Sequence, residues 1–252
     1  MGLYNMEIPD MQHQVMGYDR SATMFSPDGY ILQVEYAEKA VRLGTASIGI
    51  NCSDGVVIVS DKGFKDSLIV PESADKIYEI DEHIIASAAG ILSDARILVN
   101  QIRIASQQHR VTYDSPIDVE SVIREISDIQ QQYTQHPGVR PFGVRLMIAG
   151  KQGDMTKLYT SDITGNYYEY NAVAIGENDD KIKESLRKKY KKEMKVEEGI
   201  KLCLEIFNEI LGDKFDINRF NVAYVKKNEN KMKRLKTEDL KKFEWMWRWE
   251  QN

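Results

Sequence analysis

Cysteine and histidine, the residues that most often hold metals or form disulfides, are scarce in this chain of 252 residues. Cys52 and Cys203 lie far apart without paired spacing, so they indicate neither a disulfide framework nor a metal centre, as is typical of a reducing cytoplasm. The four histidines share no ligand spacing: His13, His83, His109 and His136. We therefore predict no metal site.

Long apolar segments are also absent. The longest apolar run, Ile84 to Leu92, has nine residues and is interrupted by Ser87 and Gly90, whereas a membrane-spanning helix needs about 18. The first ten residues include Glu7 and Asp10 and lack the apolar core of a signal peptide. A net charge of −5 leaves no basic excess for nucleic acid. These absences favour a soluble, cytoplasmic protein that binds neither membranes nor nucleic acid.

The most informative segment covers residues 18–44. Within it, Ser26-Pro27-Asp28-Gly29 predicts a tight turn, because proline fixes φ at the second position and glycine supplies a positive φ. From Tyr30 to Leu43 the chain contains neither Pro nor Gly, which predicts a helix. Gly44 follows in the position of a C-terminal capping glycine.

The predicted helix is apolar on two sides. Its apolar residues fall into two sets, with Leu32, Tyr36, Ala40 and Leu43 on one face and Val34, Ala37 and Val41 on another. A helix that is apolar on two sides is usually buried on both. Two interpretations remain open: an ordinary core helix, or a helix that packs one face on its own domain and the other on a neighbouring subunit.

The rest of the chain predicts two sets of strands with helices between and after them. The predicted strands are 45–51, 56–60, 76–80, 83–89, 143–149, 157–161, 167–175 and 220–226. The predicted helices run from a Ser93 cap to about Val111, from Ser115-Pro116 with Asp118 in the first turn, from Asp180 to Tyr190, and from Val196 to Leu211. This order indicates an α+β domain with two sheets.

The C-terminal segment is rich in lysine from Lys226 to Lys242 and then in aromatic residues. Leu240, Phe243 and Trp247 have helical spacing, which predicts a helix within 237–252. Either this helix packs its aromatic side chains on its own domain, or they form an exposed patch for a partner.

Three motifs near the N-terminus resemble the signature of 20S proteasome α subunits, particularly the archaeal type. They are Tyr18-Asp19-Arg20, Phe25-Ser26-Pro27-Asp28-Gly29 and Gln33-Val34-Glu35-Tyr36-Ala37, and the resemblance extends to about residue 226. It implies the four-layer αββα sandwich of the N-terminal-nucleophile hydrolases, with an added N-terminal helix. A mobile gate segment and turn at 1–29 would then precede a single domain at 30–252.

The resemblance also implies a function. Such a chain would be a non-catalytic subunit that forms seven-membered rings, caps rings of β subunits, gates substrate entry and docks the C-terminal tails of an ATPase activator. No cofactor is implied.

Site residues follow from the same resemblance. The implied gate residues are Tyr18, Asp19, Arg20, Pro27, Glu35 and Tyr36. The implied activator pocket consists of Gly44, Lys76 and Ile91, in which glycine leaves room for a tail and the lysine pairs with its terminal carboxylate. Without the resemblance, Lys76 would be interpreted as a surface charge at the edge of a strand.

Thr45 suggests an alternative, an active threonine peptidase or amidohydrolase released by cleavage between Gly44 and Thr45. Active β subunits of this family use an N-terminal threonine whose own amine acts as the base. Asp61 and Lys76 stand near the positions where the supporting residues belong.

Two features argue against this alternative. Forty-four residues precede Thr45, including the motif-bearing helix, so its nitrogen lies in an amide and is not basic. Active subunits carry Asp-x-x-Ser before the last core strand, whereas here Asp213 is followed at that spacing by Asp216. We therefore predict no catalytic residues, and the intact mass of the mature chain separates the two alternatives.

Overall fold

The structure is a computed structural model that describes residues 17–63 and 68–250. Six helices occur in the described part: α1 (Leu32–Leu43), α2 (Leu92–Tyr113), α3 (Val119–Gln135), α4 (Asp179–Lys189), α5 (Val196–Leu211) and α6 (Thr237–Glu250). The strands there are β1 (Ser47–Asn51), β2 (Gly55–Asp61), β3 (Ile77–Asp81), β4 (Ile84–Gly90), β5 (Val144–Gln152), β6 (Met155–Ser161), β7 (Tyr167–Glu169), β8 (Ala172–Ile175), β9 (Phe220–Lys226) and β10 (Lys233–Leu235). The predicted leader at residues 1–16 lies outside the described residues.

The strands pair antiparallel in two five-stranded sheets. The first sheet has the order β10-β9-β2-β1-β8, and the second has the order β3-β4-β5-β6-β7. The register of the first sheet places Ser47 opposite both Ser60 and Ile175, and Asp61 opposite Phe220. Thr45 therefore leads directly into a central strand.

Strand β2 explains why the apolar run at 56–60 is continuous. Because side chains alternate along a strand, Val57 and Val59 pack towards α4 and α5, whereas Val56 and Ile58 pack between the two sheets. Both faces of the strand are thus buried. Each fully buried aliphatic side chain of this kind stabilises the fold by about 1.5–3 kcal/mol.

Strand β4 shows the same alternation in the second sheet. Ile84 and Ala86 pack against α2 and α3, whereas Ile85 and Ala89 face the first sheet. The layers are therefore helices α4 and α5, the first sheet, the second sheet, and helices α2 and α3. This confirms the predicted α+β fold with its αββα sandwich.

Helix α1 lies against the inter-sheet core with one of its two predicted faces. Val34, Ala37 and Val41 belong to that core, and Arg145 of β5 holds the helix through two contacts with Glu38, at 2.9 and 3.1 Å. The opposite face is partly open in this chain, where Leu43 is 84% exposed and Tyr36 and Ala40 are half-buried. The exception is Leu32, which is buried although it was predicted on the same face as Leu43.

One predicted strand is wrong. Residues 167–175 form two short strands in different sheets, since β7 ends the second sheet and β8 ends the first. The chain crosses between them at Tyr170 and Asn171, where the Tyr170 amide donates to Leu158 and the Asn171 carbonyl accepts from Asn51. The segment contains neither Gly nor Pro, and Asn171 is its one residue typical of turns.

Two predicted helix starts also differ from the structure. Helix α2 begins at Leu92 with Ile91 as its N-cap, so Ser93 is not the cap. Asp118 is the N-cap of α3 rather than a first-turn residue, because its carboxylate accepts from the Ser121 amide at 2.8 Å. Ser93 thus lies two positions after the actual N-cap of α2, and α3 begins three positions after Pro116, where the prediction placed its first residue.

The C-terminal helix α6 packs on its own domain through its first half. Leu240 is buried, and Phe243 packs against the core formed by the first sheet with α4 and α5. These two residues agree with the first of the two interpretations. The side chains of the tryptophans at 245, 247 and 249 lie outside what the structure describes.

Candidate functional site

Four glycines bring distant backbone segments into contact beside Thr45. A Cβ on Gly44 would lie 2.1 Å from the Gly90 nitrogen, and a Cβ on Gly90 would lie 2.3 Å from the Gly143 carbonyl oxygen. A Cβ on Gly176 would lie 2.7 Å from the Gly44 carbonyl oxygen. Real side chains do not approach backbone so closely, so these segments can meet only at glycine. We call Gly44, Gly90, Gly143 and Gly176 the glycine junction.

Gly44 has a different role from the one predicted for it. Helix α1 ends at Leu43 as expected, but Gly44 has φ −75° and ψ 142°, which is extended rather than left-handed. Its carbonyl accepts from the Glu177 amide at 2.7 Å. Gly44 is thus the C-cap of α1 but lacks the left-handed conformation that usually calls for a capping glycine, and the close approach of Gly90 by itself requires a glycine here.

Apolar side chains remain accessible beside the glycine junction. Ile91 and Leu92 follow Gly90 and are 37% and 41% exposed, and Leu43 precedes Gly44. The Ile91 amide donates to the Gly143 carbonyl at 2.9 Å, which fixes this stretch to the start of β5. Two predicted pocket residues, Gly44 and Ile91, are thus brought together at a partly apolar surface.

Lys76, the third predicted pocket residue, points inward instead of lying at a strand edge. It is 1% exposed, and its Nζ donates to the Thr45 carbonyl at 2.5 Å, to Thr45 Oγ1 at 2.6 Å and to the Asp61 carbonyl at 3.1 Å. The surface-charge interpretation was therefore wrong. The ammonium is buried, in hydrogen-bond contact with Thr45 and next to the glycine junction.

Burial changes the acidity of this ammonium. Removal from water lowers the pKa of Lys76 from 10.5 to about 8, and the negative charge of Asp61 offsets only part of this effect. The three oxygen acceptors satisfy all three N–H groups of the ammonium. The lysine is therefore held as a buried, fully bonded group.

The Asp61 carboxylate is paired with Arg219 rather than with Lys76. Arg219 donates through Nε to Oδ1 at 3.1 Å and through Nη2 to Oδ2 at 2.7 Å, and the Gly63 amide donates to Oδ1 at 2.7 Å. Arg219 itself is positioned by the Lys214 carbonyl at 2.9 Å. Arg219 was not predicted from the sequence, since it lies 158 positions from Asp61 and belongs to no motif.

These contacts bear directly on the catalytic alternative. Thr45 is joined to α1 through Gly44, so its nitrogen is an amide and cannot accept the hydroxyl proton. Its hydroxyl oxygen accepts from Lys76, and the nearby carboxylate is occupied by Arg219. The Thr45 hydroxyl therefore has no basic amine of its own residue to accept its proton.

The predicted gate residues are distributed over three parts of the N-terminal segment at 18–36: a 3₁₀ turn, a tight turn and the start of α1. Tyr18–Arg20 form one 3₁₀ turn, which is tied to α1 by Gln33 Nε2 donating to the Asp19 carbonyl at 2.6 Å. Pro27 lies in the exposed turn that closes where the Gly29 amide donates to the Ser26 carbonyl at 2.9 Å, with Gly29 at φ +83°. The turn prediction is confirmed. Glu35 and Tyr36 are half-buried on α1.

Other kinds of site find no support in the described residues. No group of three or more His, Cys, Asp or Glu side chains there could hold a metal ion. Burial raises the pKa of Cys52 to about 12 and that of Cys203 well above its ordinary value, so neither thiol is a reactive nucleophile. Among the same residues, no helix combines the length and apolarity needed to cross a membrane.

Comparison with known proteins decides between the α and β types. Residues 41–225 match the family model for proteasome subunits, and residues 18–40 match the model for the N-terminal signature of the A type of these subunits. The chain belongs to the proteasome subunit family. The N-terminal match identifies it as the α type, which is non-catalytic.

Archaeal relatives support the same assignment. The chain is 41% identical over 228 residues to a proteasome alpha subunit of Archaeoglobus fulgidus and 40% identical over 228 residues to that of Methanothermobacter thermautotrophicus, covering 90% of this chain and 92% of each relative. It is also 40% identical over 227 residues to the proteasome alpha subunit of Pyrococcus abyssi, covering 90% of this chain and 86% of that relative.

Proposed function

We propose that this α-type subunit forms seven-membered rings that cap rings of β subunits, gate substrate entry and dock the tails of an ATPase activator. One observation carries the proposal. The segment that matches the α signature is folded as a 3₁₀ turn, a tight turn and helix α1, and it continues without a break into Thr45. The same residues that would gate a pore therefore also keep Thr45 inside the chain, and the active sites of the complex are assigned to the β subunits.

Gating can be tested by deletion. Removing residues 1–22 eliminates the Tyr18–Arg20 turn and its bond to Gln33, so we expect faster hydrolysis of short fluorogenic peptides by the particle assembled with β subunits, without an activator. A matched deletion of residues 1–10 keeps this turn and is expected to change the rate less. Equal rates for the particle with residues 1–22 deleted and the intact particle would exclude the gate.

Ring formation is assigned to the open face of α1, where Leu43 is 84% exposed. We expect Leu43→Asp to leave the subunit folded, because the side chain makes little contact within its own chain, but to prevent α rings from forming. Val111→Asp on α2 is the matched control, since Val111 is 86% exposed and lies on a different helix. Size-exclusion chromatography of the subunit expressed alone would contradict the assignment if Leu43→Asp still formed rings.

The docking pocket is assigned to Gly44, Lys76 and Ile91. The exposed apolar side chains beside the glycine junction can contact the apolar part of a tail. The Lys76 ammonium, which is bonded to Thr45, supplies a positive charge close by. For the ammonium to pair with a terminal carboxylate, it must first leave its contacts with Thr45 and Asp61. Lys76 thus has an inward resting position and, in this proposal, an outward position when a tail is bound.

A further inference from the structure

An ion pair between a buried carboxylate and a partly exposed arginine lies immediately next to the proposed pocket. Asp94, in the first turn of α2, is 5% exposed. Arg140 donates through Nη1 to Asp94 Oδ2 at 2.6 Å and through Nη2 to Oδ1 at 2.8 Å, in a two-pronged contact. Arg140 Nη1 also donates to the Pro141 carbonyl at 2.9 Å, which holds the arginine within its own loop.

The pair is linked to Ile91 through Gly143. The Gly143 amide donates to Asp94 Oδ2 at 2.9 Å, and the Gly143 carbonyl accepts from the Ile91 amide at 2.9 Å. The Asp94 amide in turn donates to the Ile91 carbonyl at 3.0 Å. Both backbone groups of Ile91 are therefore held by hydrogen bonds. Its amide is bonded to Gly143, which also binds the Asp94 carboxylate, and its carbonyl is bonded to the Asp94 amide.

The space around Ile91 depends on the same arrangement. A Cβ on Gly143 would lie 2.6 Å from Ile91 Cδ1, so the isoleucine side chain rests directly on this glycine. A shift of the loop that carries Arg140 and Gly143 would move the surface beneath Ile91. The orientation of the exposed isoleucine is thus set by the position of the loop.

The charges favour a permanent pair. Burial alone would raise the pKa of Asp94, but the hydrogen bonds from Arg140 and Gly143 lower it overall. The Asp94 contact likewise raises the pKa of Arg140. The pair is therefore ionised at neutral pH, and removal of the guanidinium would leave a carboxylate in an enclosed position.

We propose that Asp94 and Arg140 form a clamp that positions Ile91 and so sets the apolar wall on which an activator tail docks. The inference rests on the proposed docking function and assigns positioning residues to that site. In this proposal both residues affect tail binding indirectly. The clamp acts through Gly143 and the backbone of Ile91.

The test measures tail binding directly. The probe is a fluorescent synthetic decapeptide with the C-terminal sequence of the proteasomal ATPase from the same organism, and its dissociation constant for the assembled α and β particle is determined by fluorescence anisotropy. For Arg140→Met we expect the dissociation constant to rise about 2- to 30-fold, the range for residues that act on a site through their neighbours. The same peptide with an amidated C-terminus shows how much of the binding depends on the carboxylate.

A closely matched control exists in the same chain. The Arg124 side chain is 56% exposed and pairs with Glu120 on the surface of α3, whereas Arg140 is 57% exposed and pairs with buried Asp94. Arg124→Met removes the same kind of side chain at the same exposure, so it is expected to leave the dissociation constant unchanged. Arg140→Lys keeps the charge and one donor, and is expected to fall between Arg140→Met and the unmodified chain.

A second measurement separates positioning from general destabilisation. Hydrogen exchange of the Ile91 amide, which bonds to Gly143, is expected to accelerate in Arg140→Met while exchange in the middle of β2 stays slow. If Arg140→Met does not assemble, Arg140→Lys is compared with Arg124→Lys in the same two assays.

Ile91→Asp distinguishes failure of the clamp from failure of the pocket. If Ile91→Asp abolishes peptide binding while Arg140→Met and Arg140→Lys leave it unchanged, the clamp proposal is overturned and the pocket stands. If Ile91→Asp binds the peptide normally, the pocket assignment falls and the clamp falls with it. Weaker binding by Arg140→Met, with faster exchange at Ile91 and normal binding by Arg124→Met, supports the clamp.

Discussion

Replacing Arg219 by methionine is expected to lower the free energy of unfolding by about 3–5 kcal/mol, because the substitution leaves a buried carboxylate without its cation. Asp61 is 4% exposed and receives two charge-assisted hydrogen bonds from Arg219. Methionine fills part of the vacated volume but cannot donate. Denaturant unfolding of the isolated chain, at one fixed protein concentration, measures the difference.

Two further variants define what the loss means. Arg124→Met removes the exposed contact with Glu120 and should change stability by no more than about 1 kcal/mol. Adding Asp61→Asn to Arg219→Met neutralises the stranded charge and should recover part of the lost stability. A loss for Arg219→Met as small as that for Arg124→Met would contradict the prediction, and would mean that Lys76 compensates for the missing arginine.

The sequence was sufficient to predict features that depend on local pattern. The continuous burial of β2, the Ser26–Gly29 turn and the end of α1 at Leu43 each follow from residues close together in the chain, although α1 begins at Leu32 and not at Tyr30. The layer order came from the resemblance rather than from periodicity. The family match at residues 18–40 and 41–225 then confirmed the assignment.

The features that were missed depend on contacts between distant residues. Whether Lys76 points outward or inward is decided by the acceptors on Thr45 and Asp61, which lie just before β1 and at the end of β2. Arg219 and Arg140 belong to no motif, and each was found only because the fold brings it to a buried carboxylate. In the same way, the need for glycine at position 44 depends on Gly90, which reaches it only in the folded chain.

At the Thr45 site, side chains of the types that a threonine hydrolase uses make contacts of another kind. Lys76 still reaches Thr45, but here it donates to both oxygens of that residue and joins the end of α1 to the first sheet. Asp61, which would tune a catalytic lysine, is instead bonded to Arg219. The same side-chain types thus serve a buried structural connection beside the proposed docking surface.

The unmodified chain is expected to gain stability relative to Lys76→Met as the pH rises from about 8 to about 10.5. The pKa of Lys76 is lowered by burial from 10.5 to about 8, so in this interval the unfolded chain binds a proton that the folded chain does not. Stability therefore increases with pH. Below about pH 8 both states are protonated and the folded state bears the full penalty for the buried charge, about 3 kcal/mol.

The comparison with Lys76→Met isolates this effect, since methionine keeps an apolar stem and every other titratable group is unchanged. The measurement is the difference in unfolding free energy between the two chains at a series of pH values from about 7 to about 10.5. Lys242→Met, at a lysine whose side chain is 75% exposed, should show no such rise. A difference in unfolding free energy between the unmodified chain and Lys76→Met that does not change with pH would contradict the prediction. It would mean that the three oxygen contacts restore the proton affinity that burial removes, so that the ammonium is as stable inside the fold as in water.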